Sequence, residues 1–150
     1  MKIRVVLLTA VFFALTVMPA CQQGPYGLND GYYTAEAASF DNDGWKEYVL
    51  IYVSQGRIIT VEYDAFNESG FIKSWDHEYM REMNEAAGTY PNEYMRAYAI
   101  SLVNSQDPRK VDAVTGATQS HINFQMLAEA AIESAKAGDK QVAVVELPEQ

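Results

Sequence analysis

A nine-residue stretch in the last third of the chain carries residue types suited to binding a phosphate group. Residues 112–120 read DAVTGATQS, a turn of small and hydroxyl-bearing residues that precedes a helix-like segment. Gly116 and Ala117 leave the backbone N–H groups accessible, and the first turn of a helix offers unpaired N–H donors with a partial positive charge. This combination suits a phosphate. On spacing alone, the plainer alternative is that Thr118 or Ser120 only caps the helix.

Three helices are predicted around this stretch. Ser74, followed by acidic residues, is the expected N-cap of a helix over residues 75–87 that ends at Gly88. Pro91 suits the first position of a second helix, which residues 104–108 interrupt. The third helix is predicted over residues 119–137, with Gly138 ending it. The expected apolar faces consist of Tyr94, Ala97, Tyr98 and Leu102 in the second helix, and Ile122, Met126, Leu127, Ala130 and Ala131 in the third.

Strands are predicted before the helices. Residues 31–40, 45–53 and 57–63 are rich in β-branched and aromatic residues, and the last two flank a short loop at 54–56 that is typical of a hairpin. Residues 141–147 form either a last strand or a tail. Because the strands come first and the helices after them, the order favours an α+β fold, a small antiparallel sheet packed with about three helices, over a doubly wound sheet.

Composition restricts the function further. The chain has 150 residues, 49% of them apolar, which is enough for one domain with a buried core. Its formal charge is −9 at pH 7, a balance that opposes binding to nucleic acid or anionic lipid headgroups. One Cys and two His do not suffice for a four-ligand zinc site, an iron–sulfur cluster or a disulfide framework. Redox chemistry in this chain therefore requires an organic cofactor.

The N-terminal residues 1–20 have the features of a signal peptide. Lys2 and Arg4 give the positive start, and the apolar run at 5–17 is short for a transmembrane helix. Cys21 follows directly, as in bacterial lipoproteins, where such a cysteine carries the lipid. On that interpretation residues 21–30 are a lipid-anchored tether, residues 31–150 are the single working domain, and the location is the outer face of the cell membrane. The alternative is ordinary secretion with an incidental cysteine.

The motif Asp112-x-x-Thr115-Gly116-Ala117-Thr118 resembles the flavin acceptor motif of FMN-binding domain proteins. These include the flavin subunits of Na⁺-translocating NADH and Rnf-type oxidoreductases and the flavolipoproteins of extracellular electron transfer. Residues 31–33, Trp45 with the following hairpin, and residues 63–65 are similar to that family's sheet portion. Residues 73–83, with the pattern KSxDxxYxxxM, resemble a second block of the lipoprotein branch. The similarity covers residues 31–138.

The resemblance implies a covalently bound cofactor. In that family an ApbE-type flavin transferase moves the FMN part of FAD onto the last threonine of the motif, here Thr118, as a phosphoester. Asp112 would serve transferase recognition, and Lys73 would contact the phosphate or the flavin ring, unless it is an ordinary surface lysine. The cofactor-binding residues implied are Thr118, Asp112, Thr115, Gly116, Ala117, Gln119 and Ser120 from the motif, and Lys73, Ser74 and Asp76 from the second block.

The resemblance also implies an electron carrier and not an enzyme, since Thr118 is the transferase's substrate. The expected donor is a membrane redox component, an NADH dehydrogenase or a quinone-linked protein. Two alternatives stay open: a secreted module that binds a flavin or another phosphate ligand noncovalently, and a reductase domain with its own substrate. Trp45, Trp75 and Tyr79 are candidate neighbours of the flavin ring, although aromatic residues commonly belong to the core. His77 and His121 either titrate beside the flavin or lie on the surface.

Overall fold

Four strands form one sheet in a computed structural model that describes residues 26–148. The strands are β1 (Gly31–Ala37), β2 (Lys46–Ser54), β3 (Arg57–Phe66) and β4 (Ala143–Val145), in the order β3-β2-β1-β4. The helices are α1 (His77–Ala87), α2 (Pro91–Ser105) and α3 (Thr118–Ala137), with 3₁₀ turns at Lys73–Trp75 and Pro108–Lys110. The predicted signal peptide, Cys21 and the first part of the tether lie outside the described residues.

The α+β prediction is confirmed, with one difference in strand direction. β1, β2 and β3 pair antiparallel, as expected. β4 instead runs parallel to β1, with Ala35 opposite Ala143. A parallel partner has to be reached by a crossover, and here the crossover includes the whole helical part of the chain. The C-terminal segment is therefore a strand and not a tail.

The helices cover one face of the sheet. Burial along β2 alternates, and the inward positions include Val49, Ile51 and Val53, each fully buried. α3 packs on this face against β1 and β2, and α2 packs against β3. Phe124 and Leu127 of α3 are completely buried there. The opposite face is partly exposed and presents the stacked rings of Tyr32 and Tyr52, whose centroids are 4.6 Å apart.

The β2–β3 hairpin has the predicted tight loop. Gln55 and Gly56 both adopt positive φ, 53° and 67°, the combination that matches the right-handed twist of the two strands. The backbone N–H of Gly56 donates to the Asp30 carboxylate at 2.9 Å, which joins the loop to the start of β1. β1 ends at Ala37, three residues before its predicted end, and β3 continues to Phe66, three residues beyond.

The N-terminal segment of the domain is attached to the far end of α3. Asn29 donates through its backbone N–H to the Ala135 carbonyl oxygen at 3.0 Å. Its side-chain amide donates to the Ala135 and Lys136 carbonyl oxygens, both at 2.9 Å. These carbonyls belong to the last helical turn, which lacks intrahelical donors. Asn29 therefore satisfies the C-terminal end of α3 and fixes where the chain enters the domain.

Three details of the helix predictions are wrong. The N-cap of α1 is Asp76, whose carboxylate accepts from the N–H groups of Glu78 and Tyr79, and Ser74 instead belongs to the preceding 3₁₀ turn. In α2 the predicted core residue Ala97 is exposed and Met95 is buried in its place. In α3 Ile122 is exposed, because the buried stripe is rotated toward Asn123 and Phe124.

Candidate functional site

The motif loop packs tightly against the end of α1. Gly116 has φ +84°, a conformation that residues other than glycine rarely adopt. A Cβ added to it would lie 2.4 Å from the Ala87 carbonyl oxygen. Only a glycine allows the two backbones this close approach. The glycine predicted from the motif is therefore also required by the packing of the loop.

Tyr98 of α2 holds the two sides of this loop together. Its hydroxyl donates to the Ala117 carbonyl oxygen at 3.0 Å and accepts from the Val114 N–H at 3.1 Å. His121, one turn into α3, donates from Nε2 to the Val111 carbonyl oxygen at 2.6 Å. His121 is half-buried and engaged in the loop, whereas His77 is exposed at the first position of α1. The alternative of a plain surface position is therefore wrong for His121 and holds for His77.

The start of α3 has free hydrogen-bonding groups. The cap position is Ala117, and no side chain caps the helix, so the alternative of Thr118 or Ser120 as a simple cap is wrong. Thr118 is the first helical residue, and its side chain is exposed. Within the described chain, no group accepts a hydrogen bond from the N–H of Thr118, Gln119 or Ser120. The exposed hydroxyl thus lies beside three unsatisfied donors.

The other motif residues differ in their placement. Asp112 and Thr115 are exposed, and Ala117 is buried against the core. The Gln119 side-chain amide donates to the Asn123 Oδ1 atom at 3.1 Å, one turn further along α3. The Ser120 carbonyl oxygen lies 3.0 Å from the Tyr63 hydroxyl of β3. The motif is therefore exposed on its loop side and connected to buried polar residues on its helix side.

Lys73 is buried and does not fit an ordinary surface lysine. It is 5% exposed, and its Nζ lies 4.7 Å from the ring centroid of Tyr79 and 5.6 Å from that of Trp45. In residues 26–148, no carboxylate lies within salt-bridge distance of Nζ, and no group accepts a hydrogen bond from it. Among these residues, the desolvated ammonium is therefore stabilised by two aromatic faces and not by a paired anion.

The rest of the second block has structural roles. The Asp76 carboxylate caps α1. Ser74 is half-buried, and its backbone N–H donates to the Asp64 carboxylate at 3.2 Å. Of the three candidate aromatic residues, Trp45 and Tyr79 meet edge to face with centroids 6.3 Å apart, while Trp75 is 66% exposed. The block thus contributes Lys73 and Tyr79 to one cluster with Trp45.

Glu47 is a buried carboxyl that the sequence analysis missed. It is 3% exposed, and its Oε2 lies 2.9 Å from the Tyr63 hydroxyl. Burial raises the pKa of the Glu47 carboxyl, and the hydrogen bond with Tyr63 and the charge of Lys73 oppose that rise. The alternation of inward and outward positions along β2 could have revealed it, because Glu47 points to the same side of the strand as Val49 and Ile51.

A cavity of about 280 Å³ opens beside this cluster. Trp45, which directly precedes β2, and Glu47 of β2 line it on one side. Asn123 of α3 also lines it. Asp41 accepts with Oδ1 from the N–H groups of Asp43 at 3.0 Å and Trp45 at 2.8 Å, and its buried Oδ2 has no partner in the described chain. The remaining lining residues are Ala37, Ala38, Ser39, Phe40, Asn42, Leu147 and Pro148.

Two features are absent from residues 26–148. No group of three or more His, Cys, Asp or Glu side chains in this range is arranged to hold a metal ion. No helix in this range has the length and apolar character needed to cross a bilayer.

Comparisons with known proteins identify relatives. The chain is 35% identical over 115 residues to a 15 kDa lipoprotein of Treponema pallidum, covering 77% of this chain and 82% of that protein. A crystal structure of a Clostridium perfringens protein superposes with a TM-score of 0.77 at 35% identity, covering 81% of this chain and 99% of the other. A solution structure of a Clostridium thermocellum protein gives a TM-score of 0.50 at 30% identity, covering 71% and 91%. No protein-family model matches the sequence, so the resemblance to FMN-binding domain proteins stays a prediction from the residues. The chain belongs to the family of the 15 kDa lipoprotein of Treponema pallidum.

Proposed function

We propose that the protein is an extracytoplasmic electron-transfer flavoprotein that carries FMN covalently on Thr118. It relays electrons from a membrane redox donor, an NADH dehydrogenase or a quinone-linked protein, to an extracytoplasmic acceptor. Kinship with a bacterial lipoprotein supports a lipid anchor on Cys21, which follows the predicted signal peptide. In this proposal the domain works at the outer face of the membrane.

The observation that carries the proposal is the state of Thr118. Its side chain is exposed, it does not cap the helix, and it begins a helix whose first N–H groups have no acceptor in the described chain. A phosphoester on this hydroxyl would lie where these donors and the helix dipole stabilise negative charge. If the Thr118 hydroxyl had capped the helix, it would have been occupied by a backbone N–H group, and that would have opposed the proposal.

The attachment step is the one that the resemblance implies. An ApbE-type flavin transferase uses FAD, and the Thr118 hydroxyl oxygen forms a bond to the phosphorus of the FMN part. The P–O bond to the AMP part breaks, AMP leaves, and the hydroxyl proton is released. Gly116 and Tyr98 fix the loop that presents the hydroxyl to the transferase, which fits a substrate residue and not a nucleophile activated within this chain.

The residues of the cluster fit a flavin. The bound group would supply reversible electron transfer, and the protein would supply its position and electrostatics. Trp45 and Tyr79 offer flat apolar surfaces for an aromatic ring. The ammonium of Lys73 has no counter-charge within salt-bridge distance in the described chain. It therefore suits a ring whose carbonyl oxygens and ring nitrogens gain negative charge on reduction.

The test is to export the protein in cells that also produce an ApbE-type transferase. Intact mass and in-gel flavin fluorescence after denaturation are then measured for the wild type, Thr118→Ala and Thr115→Ala. We expect a gain of one FMN less one water in the wild type and in Thr115→Ala, and none in Thr118→Ala. Thr115→Ala is the matched control because Thr115 is an exposed hydroxyl in the same loop.

Other outcomes have definite meanings. No mass gain in the wild type, while a known acceptor is modified in the same cells, refutes covalent attachment. A yellow protein that loses its chromophore on denaturation supports the noncovalent binding module instead. That second function is favoured by the cavity beside Trp45, which would need no covalent bond to hold a ligand.

A further inference from the structure

The cavity beside Trp45 contains a preorganised acceptor without a donor. Two backbone N–H groups, those of Asp43 and Trp45, hold the Asp41 carboxylate through its Oδ1 atom. Its Oδ2 atom is buried, and nothing in residues 26–148 donates to it. Burying an unpaired carboxylate oxygen is costly, so a donor from outside the described chain is expected there.

The lining of the cavity restricts which donor fits. Trp45 is a flat wall that is 7% exposed, and Asn123 contributes a buried amide whose Oδ1 already accepts from Gln119. The Lys73 ammonium lies 5.6 Å from the Trp45 ring centroid, but Lys73 itself is not part of the lining. A ligand that satisfies this lining is planar, donates one N–H to Asp41 and has carbonyl oxygens that can accept from side chains such as Ser39 and Asn123. A ring imide, in which an N–H lies between two carbonyl groups, has this pattern.

A simple cation fits less well. Asp41 and Glu47 both line the cavity and raise the prospect of a cation site. The Lys73 ammonium is close enough to act on Glu47, however, and a second cation would be repelled by it. Burial also disfavours the ionised form of the Glu47 carboxyl and raises its pKa, which weakens it as a cation ligand.

We infer that this cavity binds the imide edge of the isoalloxazine ring, with the Asp41 Oδ2 atom accepting from the ring N3–H. The inference rests on the proposed function, since it concerns the ring of the flavin attached to Thr118. Thr118 and Asn123 are five residues apart on α3, about 7.5 Å along the helix axis at the usual rise per residue. The ribityl phosphate arm, five carbons and a phosphoester, is long enough to cover that distance.

The main test uses the flavinylated protein, with attachment verified by intact mass. The flavin N3–H is titrated by absorption at alkaline pH in the wild type, Asp41→Asn and Asp43→Asn, with free FMN as the reference. We expect N3–H to deprotonate at higher pH in the wild type than in free FMN, because the ionised ring would face the Asp41 carboxylate. Asp41→Asn should lower that pH by about one unit or more. Its amide oxygen can still accept from the two backbone N–H groups, so the variant is expected to fold.

Asp43→Asn is the matched control. It removes the same charge two residues away, from an exposed side chain that does not line the cavity. It should leave the titration of the flavin near the wild-type value. A shift in Asp41→Asn no larger than that in Asp43→Asn, or a wild-type value equal to that of free FMN, would overturn the inference while leaving covalent attachment intact.

A second measurement decides the matter if mass spectrometry finds no attached flavin. Trp75→Phe leaves Trp45 as the single tryptophan, so its fluorescence reports on the cavity. The probes are lumiflavin, which has no phosphate, and 3-methyllumiflavin, which lacks the N3–H donor. We expect lumiflavin to quench the fluorescence of Trp45 and to bind about tenfold more tightly than 3-methyllumiflavin. A tenfold difference is the effect of about one hydrogen bond. Equal binding of the two probes, or no quenching by either, would refute the imide site independently of the proposed function.

Discussion

The hydroxyl of Tyr98, a residue of α2, forms a hydrogen bond with the backbone of Ala117 in the turn that precedes α3. It donates to the Ala117 carbonyl oxygen and accepts from the Val114 N–H, so one side chain satisfies a donor and an acceptor across the motif loop. The ring itself is buried in the core, next to Tyr63 and Phe124. The shape of the loop is thereby connected to the packing of α2 under the sheet.

Tyr98→Phe should therefore destabilise the protein. The substitution keeps the ring and removes both hydrogen bonds, leaving the partly buried Val114 N–H and the Ala117 carbonyl without this partner. We expect a loss of about 1–3 kcal/mol in the free energy of unfolding, measured by urea denaturation. Tyr33→Phe is the control, since the buried Tyr33 hydroxyl has no partner in the described chain and its removal should be neutral or stabilising. Equal losses in the two variants would contradict the role assigned to Tyr98.

The close approach at Gly116 gives a second prediction. Gly116→Ala and Gly88→Ala both place a Cβ on a residue with positive φ, 84° and 71°. In each variant the free energy of unfolding should decrease by about 1–2 kcal/mol because of that backbone conformation alone. The Cβ at Gly88 has no heavy atom within 4 Å, whereas the Cβ at Gly116 meets the Ala87 carbonyl oxygen at 2.4 Å. Gly116→Ala should therefore be the more destabilising by a further ~1–3 kcal/mol in thermal or urea unfolding. Similar losses would mean that the loop can move away from α1.

Glu47 should make stability depend on pH. Its pKa is raised in the folded state above the ordinary value of 4.5. Its contribution to stability is therefore fully present below pH 4.5 and is lost as the pH rises through the folded-state pKa. Glu47→Gln keeps an oxygen for the Tyr63 hydrogen bond and cannot ionise.

The measurement is the free energy of unfolding in urea for the wild type and Glu47→Gln, from pH 4.5 to neutrality. The free energy of unfolding of the wild type minus that of Glu47→Gln should decrease as the pH rises. Glu68→Gln, which removes one carboxyl from an exposed position, serves as the control. A Glu47 difference that is constant or increases with pH would contradict the raised pKa.

The buried side of α3 gives a stability prediction with an internal control. Leu127 is fully buried, and Ile122 on the same helix is 39% exposed. Leu127→Ala should lose about 2–5 kcal/mol, because a cavity remains in the packed core. Ile122→Ala should lose less than about 1 kcal/mol. Equal losses measured by urea denaturation would mean that the rotation of α3 described above is incorrect.

Local signals accounted for most of the fold. Pro91 begins α2, Gly88 and Gly138 end α1 and α3 in the left-handed conformation, and the hairpin lies where Gly56 indicated it. Each of these depends on the conformational limits of one residue. The choice of Asp76 over Ser74 as a cap could not be made in this way, because two residues with capping side chains lie two positions apart and Ser74 is taken up by the 3₁₀ turn that precedes α1.

Long-range relationships were not available from the sequence. The parallel pairing of β4 with β1 joins residues more than a hundred positions apart, and no local pattern specifies its direction. The burial of Lys73 depends on two rings contributed by different segments, Trp45 and Tyr79. Glu47 could have been inferred from the alternation of β2, but a charged residue at an inward position is usually assigned to the surface. The flavin on Thr118 remains a prediction for the mass measurement.

The attachment of Asn29 to the last turn of α3 also defines a direction. The chain enters the domain at one end of this helix, and Thr118 lies at the other. Twenty helical residues span about 30 Å. In a protein anchored through Cys21, the tether would therefore join the domain at the end of α3 opposite to the motif. Leu28 is buried in the core and Asn29 is bonded to α3, so in the proposed carrier only the residues between Cys21 and Leu28 could act as a tether, and their number would limit how far Thr118 can move toward a donor at the bilayer.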